Sequence, residues 1–231
     1  MVSQRFKILT IIAGLCLPPG PAVATEPLRL LALGDSLTAG FGLKPGEGFT
    51  DQLQRELDAR GVPVLILNAG VSGDTTSGGL ARLEWALGDR PDMIILALGA
   101  NDGLRAVNPE VTRSNLAAIL EQLRLKKLPV LLAGIYAPPN LGREYAAEFN
   151  RIFPELAAEY DALLYPFFLD GVAARPELNQ SDGMHPNAAG VAVMVERIAP
   201  YVIRLVGAAL AAKSSDDSQL KPLQDAAELR H

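Results

Sequence analysis

Apolar residues fall into five short blocks separated by longer stretches of mixed character. Residues 28–33, 64–67, 93–98 and 130–133 are nearly free of polar side chains, and 162–164 form a weaker fifth block. Blocks apolar on both faces predict buried parallel strands. Between them the spacing changes to that of helices. Phe49, Leu53 and Leu57 share one stripe, and Leu116, Ile119, Leu120 and Leu123 share another. Asn108-Pro109-Glu110 supplies a cap, a first-turn proline and an early acid, so a helix opens there and runs over 111–125. Residues 145–160 read as a helix kinked at Pro154, and 188–210 as a last helix broken at Pro200. The alternation predicts one doubly wound α/β domain over residues 25–212. From Ser214 the chain turns polar, and 213–231 is expected to be a loose tail, with a frayed helix as its alternative form.

The first residues carry a different pattern. Arg5 and Lys7 precede an apolar run of about ten residues, too short for a bilayer, which needs roughly twenty. Ala22-Val23-Ala24 then gives the small-x-small pattern of signal-peptide cleavage, so residues 1–24 read as a signal peptide cut after Ala24. Cleavage removes Cys16 and leaves 19 basic against 26 acidic residues, a net charge of −7. A cysteine-free chain suits an oxidising, exported compartment, periplasmic or secreted.

Composition narrows the chemistry. The chain has 231 residues, of which 49% are hydrophobic and 20% charged, enough to build a core without disulfides or metal. Its 21 Lys and Arg against 26 Asp and Glu form no basic excess, which argues against nucleic acid or an anionic membrane as partner. No later apolar run reaches membrane-spanning length without charges, so no stable insertion is expected. One cysteine and two histidines do not make a tetrahedral zinc site, and neither metal nor cofactor is expected. A monomer is the expected state.

In open α/β sheets ligands bind beyond the carboxyl ends of the strands, so the loops there hold the candidate chemistry. The first is Gly34-Asp35-Ser36-Leu37-Thr38, in which a serine opens a helix. The second, 68–75, is rich in glycine and includes Gly73, and glycines let backbone N–H groups approach a ligand. The third, Gly99-Ala100-Asn101-Asp102-Gly103, offers an amide side chain. Singly, each is more often a cap or a turn than part of a site. A base is needed, and only two histidines exist. His231 ends the polar tail, whereas His185 follows Asp182 by three residues, just before the last helix. A carboxylate that close can hold the ring tautomer and stabilise the imidazolium.

Taken together, Gly34-Asp35-Ser36-Leu37, Gly73, Gly99-x-Asn101-Asp102 and Asp182-x-x-His185 resemble the GDSL or SGNH hydrolases, in the family's order. The context around 68–75, Gly78 to Leu83 and 99–105 is similar to the exported thioesterase I/lysophospholipase/arylesterase branch. The resemblance implies a three-layer α/β/α sandwich, flavodoxin-like, with a five-stranded parallel sheet in the order 2-1-3-4-5. It implies Ser36 as nucleophile, His185 as base and Asp182 as its orienting acid. The oxyanion hole would be the N–H groups of Ser36 and Gly73 and the Asn101 amide, while Asp35 and Asp102 would bind loop backbone. The substrates would be small acyl esters, thioesters or lysophospholipids. At Tyr136 and Leu141 the sequence departs from the family, which carries a basic residue and a tyrosine there, so acyl preference does not carry over. A carbohydrate or peptidoglycan O-deacetylase of the same family, or a non-catalytic lipid- or carbohydrate-binding relative, are the alternatives; the intact Ser36, Asp182 and His185 argue against the last. The segment 102–107, with Gly103 and an apolar Leu104 after Asn101, is expected to bind and cover a long acyl chain.

Overall fold

The computed structural model describes residues 26–228, with side chains as far as 214. The signal-peptide reading of 1–24 and His231 lie outside the described residues. The strands are β1 (Leu28–Gly34), β2 (Val64–Gly70), β3 (Met93–Ala97), β4 (Val130–Ala133) and β5 (Leu163–Tyr165). The helices are α1 (Ser36–Ala39), α2 (Phe49–Ala59), α3 (Thr76–Ala81), α4 (Leu83–Ala86), α5 (Ala100–Leu104), α6 (Pro109–Leu125), α7 (Arg143–Glu159) and α8 (Ala188–Glu228). The sheet is parallel throughout and ordered β2-β1-β3-β4-β5. Helices α2 and α8 pack together on one side, and α6 packs against α3 and α7 on the other, which makes three layers. The doubly wound arrangement expected from the apolar blocks is the one observed.

Burial follows position in the sheet. Every residue of β3 and β4 is buried, as central parallel strands require. Strand β2 corrects the expectation of a strand covered on both faces: it lies at the edge, and Leu65 is 43% exposed. The stripes read from the sequence face inward, with Phe49, Leu53 and Leu57 of α2 and Leu116, Ile119, Leu120 and Leu123 of α6 all buried.

Helix α6 starts as the sequence pattern predicts, and α8 departs from it twice. Asn108 caps α6 as expected, its side chain accepting the Glu110 N–H at 2.9 Å. Helix α8 is not broken at Pro200. The proline and Glu196, whose carbonyl its missing N–H would have met, both lie on the exposed face, where water can serve that carbonyl. The helix continues past the polar run to Glu228, in the segment read as a loose tail or a frayed helix. Its last described anchor is Lys213, whose Nζ lies 2.7 Å from Asp92 beside the start of β3. Among the described residues no helix is long and apolar enough to cross a membrane.

Candidate active site

The ends of β1, β2 and β3 bring three loops to one edge of the sheet, and a fourth loop, before α8, closes over them. At the end of β1 the chain must turn at once into α1. Gly34 permits this, because a Cβ there would sit 2.0 Å from Thr38 Oγ1 and 2.9 Å from the Ala97 carbonyl oxygen. Asp35 caps α1, accepting the Leu37 N–H at 3.0 Å, and Ser36 is the first helical residue. A first-turn N–H has no helical acceptor, so the Ser36 N–H is available to a ligand.

His185 arrives from the opposite side. Its Nε2 lies 2.9 Å from Ser36 Oγ, and its Nδ1 lies 2.6 Å from Asp182 Oδ2. The other oxygen of Asp182 accepts the backbone N–H groups of Met184 at 2.9 Å and His185 at 3.0 Å. Those backbone donors, the His185 N–H first, together with the His185 ring, hold the Asp182 carboxyl down at about 2. Asp182 is therefore an anion over the whole working range, and it favours the tautomer with its proton on Nδ1. Nε2 is then an acceptor for the Ser36 hydroxyl.

The second loop turns at Gly73 with φ of +81°, a conformation that favours glycine. Asp74 closes the turn by donating its N–H to the Val71 carbonyl at 3.0 Å. Its carboxylate pairs with Arg82 at 2.7 Å, and Arg82 also donates to the Gly34 carbonyl at 2.9 Å. This largely buried arginine ties the second loop to the first. Asn101, from α5, donates Nδ2 to the Asp74 carbonyl at 2.8 Å and makes a longer 3.4 Å contact with Asp35 Oδ2. Asp35 and Asp102 both bind backbone, as the resemblance implied. Asp102 is buried and accepts the Thr76 N–H at 2.9 Å and the hydroxyls of Thr76 and Thr112 at 2.5 and 3.2 Å.

Beside Ser36 opens a cavity of about 700 Å³. Leu37, Phe41, Leu104, Ile135, Pro138 and Met184 give it an apolar wall, and Tyr136 stacks on Phe167 with ring centroids 4.5 Å apart. Ser36, Gly73, Asn101 and His185 line the same space, and Leu104 stands 55% exposed at its edge. All six residues singled out from the sequence thus lie at one place, Asp182 directly behind His185. Three contributors escaped the sequence reading. Phe41 lays its ring against the imidazole with centroids 4.7 Å apart. Gln180 donates from its side chain to the carbonyls of Phe41 and Pro186, at 2.8 and 3.0 Å, and from its backbone to that of His185 at 2.7 Å. Arg82 is the third: it stands in the resembling stretch Gly78 to Leu83, but that resemblance gave it no role. Among the described residues no cluster of three or more His, Cys, Asp or Glu could hold a metal ion.

The likeness to known proteins is specific. The family model of the GDSL-like Lipase/Acylhydrolase family matches residues 32–193. The chain is 40% identical to Esterase TesA of Pseudomonas aeruginosa over 172 residues, 74% of this chain and 86% of that protein. It is 35% identical to an arylesterase of Vibrio mimicus over 199 residues, 86% of this chain and 98% of that one. Among solved structures, AlinE4, an SGNH-hydrolase family esterase, is 47% identical with a TM-score of 0.67, covering 78% of this chain and 97% of its own. The matched segment takes in all four loops that meet at Ser36, and the chain belongs to the GDSL-like lipase/acylhydrolase family and is a carboxylic ester hydrolase.

Proposed function

We propose that the protein is an exported serine esterase that hydrolyses acyl esters and thioesters, aryl esters and lysophospholipids among them, through an acyl-enzyme on Ser36. The carrying observation is the continuous line from Asp182 through His185 to Ser36, at 2.6 and 2.9 Å, at the mouth of an apolar cavity. Ser36 Oγ attacks the substrate carbonyl carbon as its proton passes to His185 Nε2, and the resulting oxyanion turns toward the Ser36 and Gly73 N–H groups and the Asn101 amide. His185 then returns the proton to the leaving oxygen or sulfur, and the acyl group remains on Ser36. Water repeats the sequence and releases the acid. Asp182 orients the ring and stabilises the imidazolium without taking its proton. The apolar wall favours an alkyl or aryl acyl group over a sugar, so the O-deacetylase alternative has less support.

Ser36→Ala should lower hydrolysis by several orders of magnitude with the fold intact, because the hydroxyl is one short side chain at a helix start. A fluorophosphonate probe should label the wild-type protein at Ser36 alone. Labelling elsewhere, or a fully active alanine variant, would remove Ser36 from the reaction. A panel of p-nitrophenyl esters, acyl-CoAs and lysophospholipids then ranks the leaving groups.

A further inference from the structure

Ser36 and His185 come from distant parts of the chain, and the 2.9 Å bond between their side chains does not by itself hold two loops in place. The loop that carries His185 is held largely by its own neighbours. Asn179 donates to the Val172 and Arg175 carbonyls at 2.9 and 2.8 Å. Asn187 donates from its side chain to the Glu177 carbonyl and from its backbone to that of Leu178, both at 2.9 Å. Asp182 is occupied with Met184 and His185. These bonds give residues 172–187 an internal shape. They do not fix where that shape sits against the turn that follows α1.

Gln180 supplies that connection. Its Nε2 donates to the Phe41 carbonyl at 2.8 Å and to the Pro186 carbonyl at 3.0 Å, and its backbone N–H donates to the His185 carbonyl at 2.7 Å. Phe41 in turn donates its N–H to the carbonyl of Ser36 at 3.1 Å. Ser36, Phe41, Gln180 and His185 are thus joined by three consecutive hydrogen bonds, alongside the side-chain contact between the first and the last. Among the described residues, Gln180 to Phe41 is the one hydrogen bond besides His185 to Ser36 that links 172–187 to 35–43. The turn is shaped to admit this side chain: Gly42 has φ of +74°, and a Cβ there would lie 2.1 Å from Gln180 Oε1. The same approach sets the Phe41 ring against the imidazole, with centroids 4.7 Å apart.

We propose that Gln180 is a positioning residue that sets the distance between Ser36 Oγ and His185 Nε2 by fastening the His185 loop to the turn after α1. This rests on the reading of Ser36 as nucleophile and His185 as its base. A base must lie within hydrogen-bond reach of the proton it takes, and a misplacement of about 1 Å can cost about 10²-fold. Acylation and deacylation both pass through His185 Nε2, so a displaced ring slows both. Gln180 is not part of the cavity wall, so substrate binding is left as it was. The Asp182 to His185 bond lies within the loop, and it moves with the loop when the side-chain tie to Phe41 is cut.

Two variants isolate the tie. Gln180→Ala removes the side-chain donors, and Gln180→Met removes them while keeping the length of the side chain. Both should lower kcat on a p-nitrophenyl ester roughly ten- to hundred-fold, with KM little changed. The His185 Nδ1 proton, bonded to Asp182, should stand far downfield in the proton NMR spectrum of wild type and stay there in both variants. A well-folded variant with wild-type kcat would overturn the assignment. Loss of kcat together with the downfield signal would overturn it too, because Gln180 would then only keep the Asp182 turn folded. A Gln180→Met variant as active as wild type beside an impaired Gln180→Ala would assign the effect to packing and likewise overturn it. Ser36→Ala is assayed in parallel: if it is inactive while the Gln180 variants run at the wild-type rate, the positioning role alone falls, and if it is fully active, the reading of Ser36 falls with it.

Discussion

Asn101 shows how much of the site rests on single hydrogens. Its amide nitrogen has two: one is spent on the Asp74 carbonyl at 2.8 Å, and the other has only the 3.4 Å contact with Asp35. The well-made bond fixes the plane of the amide, and in the proposed mechanism the poorly placed hydrogen is the one that meets the oxyanion. A donor aimed at charge that appears only during attack stabilises the transition state more than the bound ester. Asn101→Ala should therefore lower kcat by roughly 10²–10³, about 2.7–4 kcal/mol, with KM little changed. Asn101→Asp should be at least as damaging, because it sets a carboxylate against both the oxyanion and Asp35. A thermal melt beside the kinetics separates this from a purely structural loss; a well-folded alanine variant with wild-type kcat would take Asn101 out of the oxyanion hole. At this scale the sequence was informative where chemistry is rare. With two histidines in the chain, one of them terminal, His185 and its acid three residues earlier stand out. Phe41, Gln180 and Arg82 did not stand out. Their parts depend on contacts across 139 residues for Gln180 with Phe41 and 48 for Arg82 with Gly34, and such contacts leave no local pattern.

The elements divide along similar lines. Strands β1, β3 and β4 were legible because buried parallel strands are apolar on both faces, with Arg29 near the start of β1 the one exception. Strand β2 has the same apolar composition yet lies at the edge, since sheet order is decided by crossovers and not by the strand itself. The short helices α1, α3, α4 and α5 have four to six residues, too few to complete a periodic stripe, so only their caps could signal them. Helix α8 overran the expected tail because polar composition alone does not end a helix. Among these elements α5 and its sequel are the ones expected to move. Gly103 lies against Phe149 and Pro138, but Leu104 stands exposed over the cavity, and the segment is tied down beyond by Tyr145, whose hydroxyl donates to the Val107 carbonyl at 2.8 Å. A long acyl chain in the cavity should bury Leu104 and slow amide exchange across 102–107. Hydrogen exchange with and without a long-chain phosphonate bound to Ser36 measures this; equal protection in both states would mean a rigid rim and no cover.

The molecule as a whole should record its two site aspartates as opposite slopes of stability against pH. Burial pushes the Asp35 carboxyl up from an ordinary 3.8 to about 6, against the pull of the Leu37 N–H. The unfolded chain then releases that proton before the folded one does, so the folded state holds more protons between pH 4 and 6 and loses stability as pH rises through that window. The loss approaches about 3 kcal/mol once Asp35 is ionised in both states. Asp182 runs the other way. Its backbone donors and His185 hold it at about 2, so the unfolded chain holds the extra proton between pH 2 and 4, and stability rises with pH there. Other carboxylates add a background, which the difference between wild type and a variant removes. Asp35→Asn keeps an oxygen to accept the Leu37 N–H but cannot titrate, so the gap between it and wild type should widen in the variant's favour from pH 4 to 6 and stay level above. Asp182→Asn should show the reverse, with its disadvantage growing from pH 2 to 4. Urea unfolding midpoints taken at intervals of half a pH unit from 2 to 7 give both differences. A gap for Asp35→Asn that is the same at pH 4 and pH 6.5 would show that the carboxyl next to Ser36 ionises as an ordinary surface acid, and that burial does not set its charge.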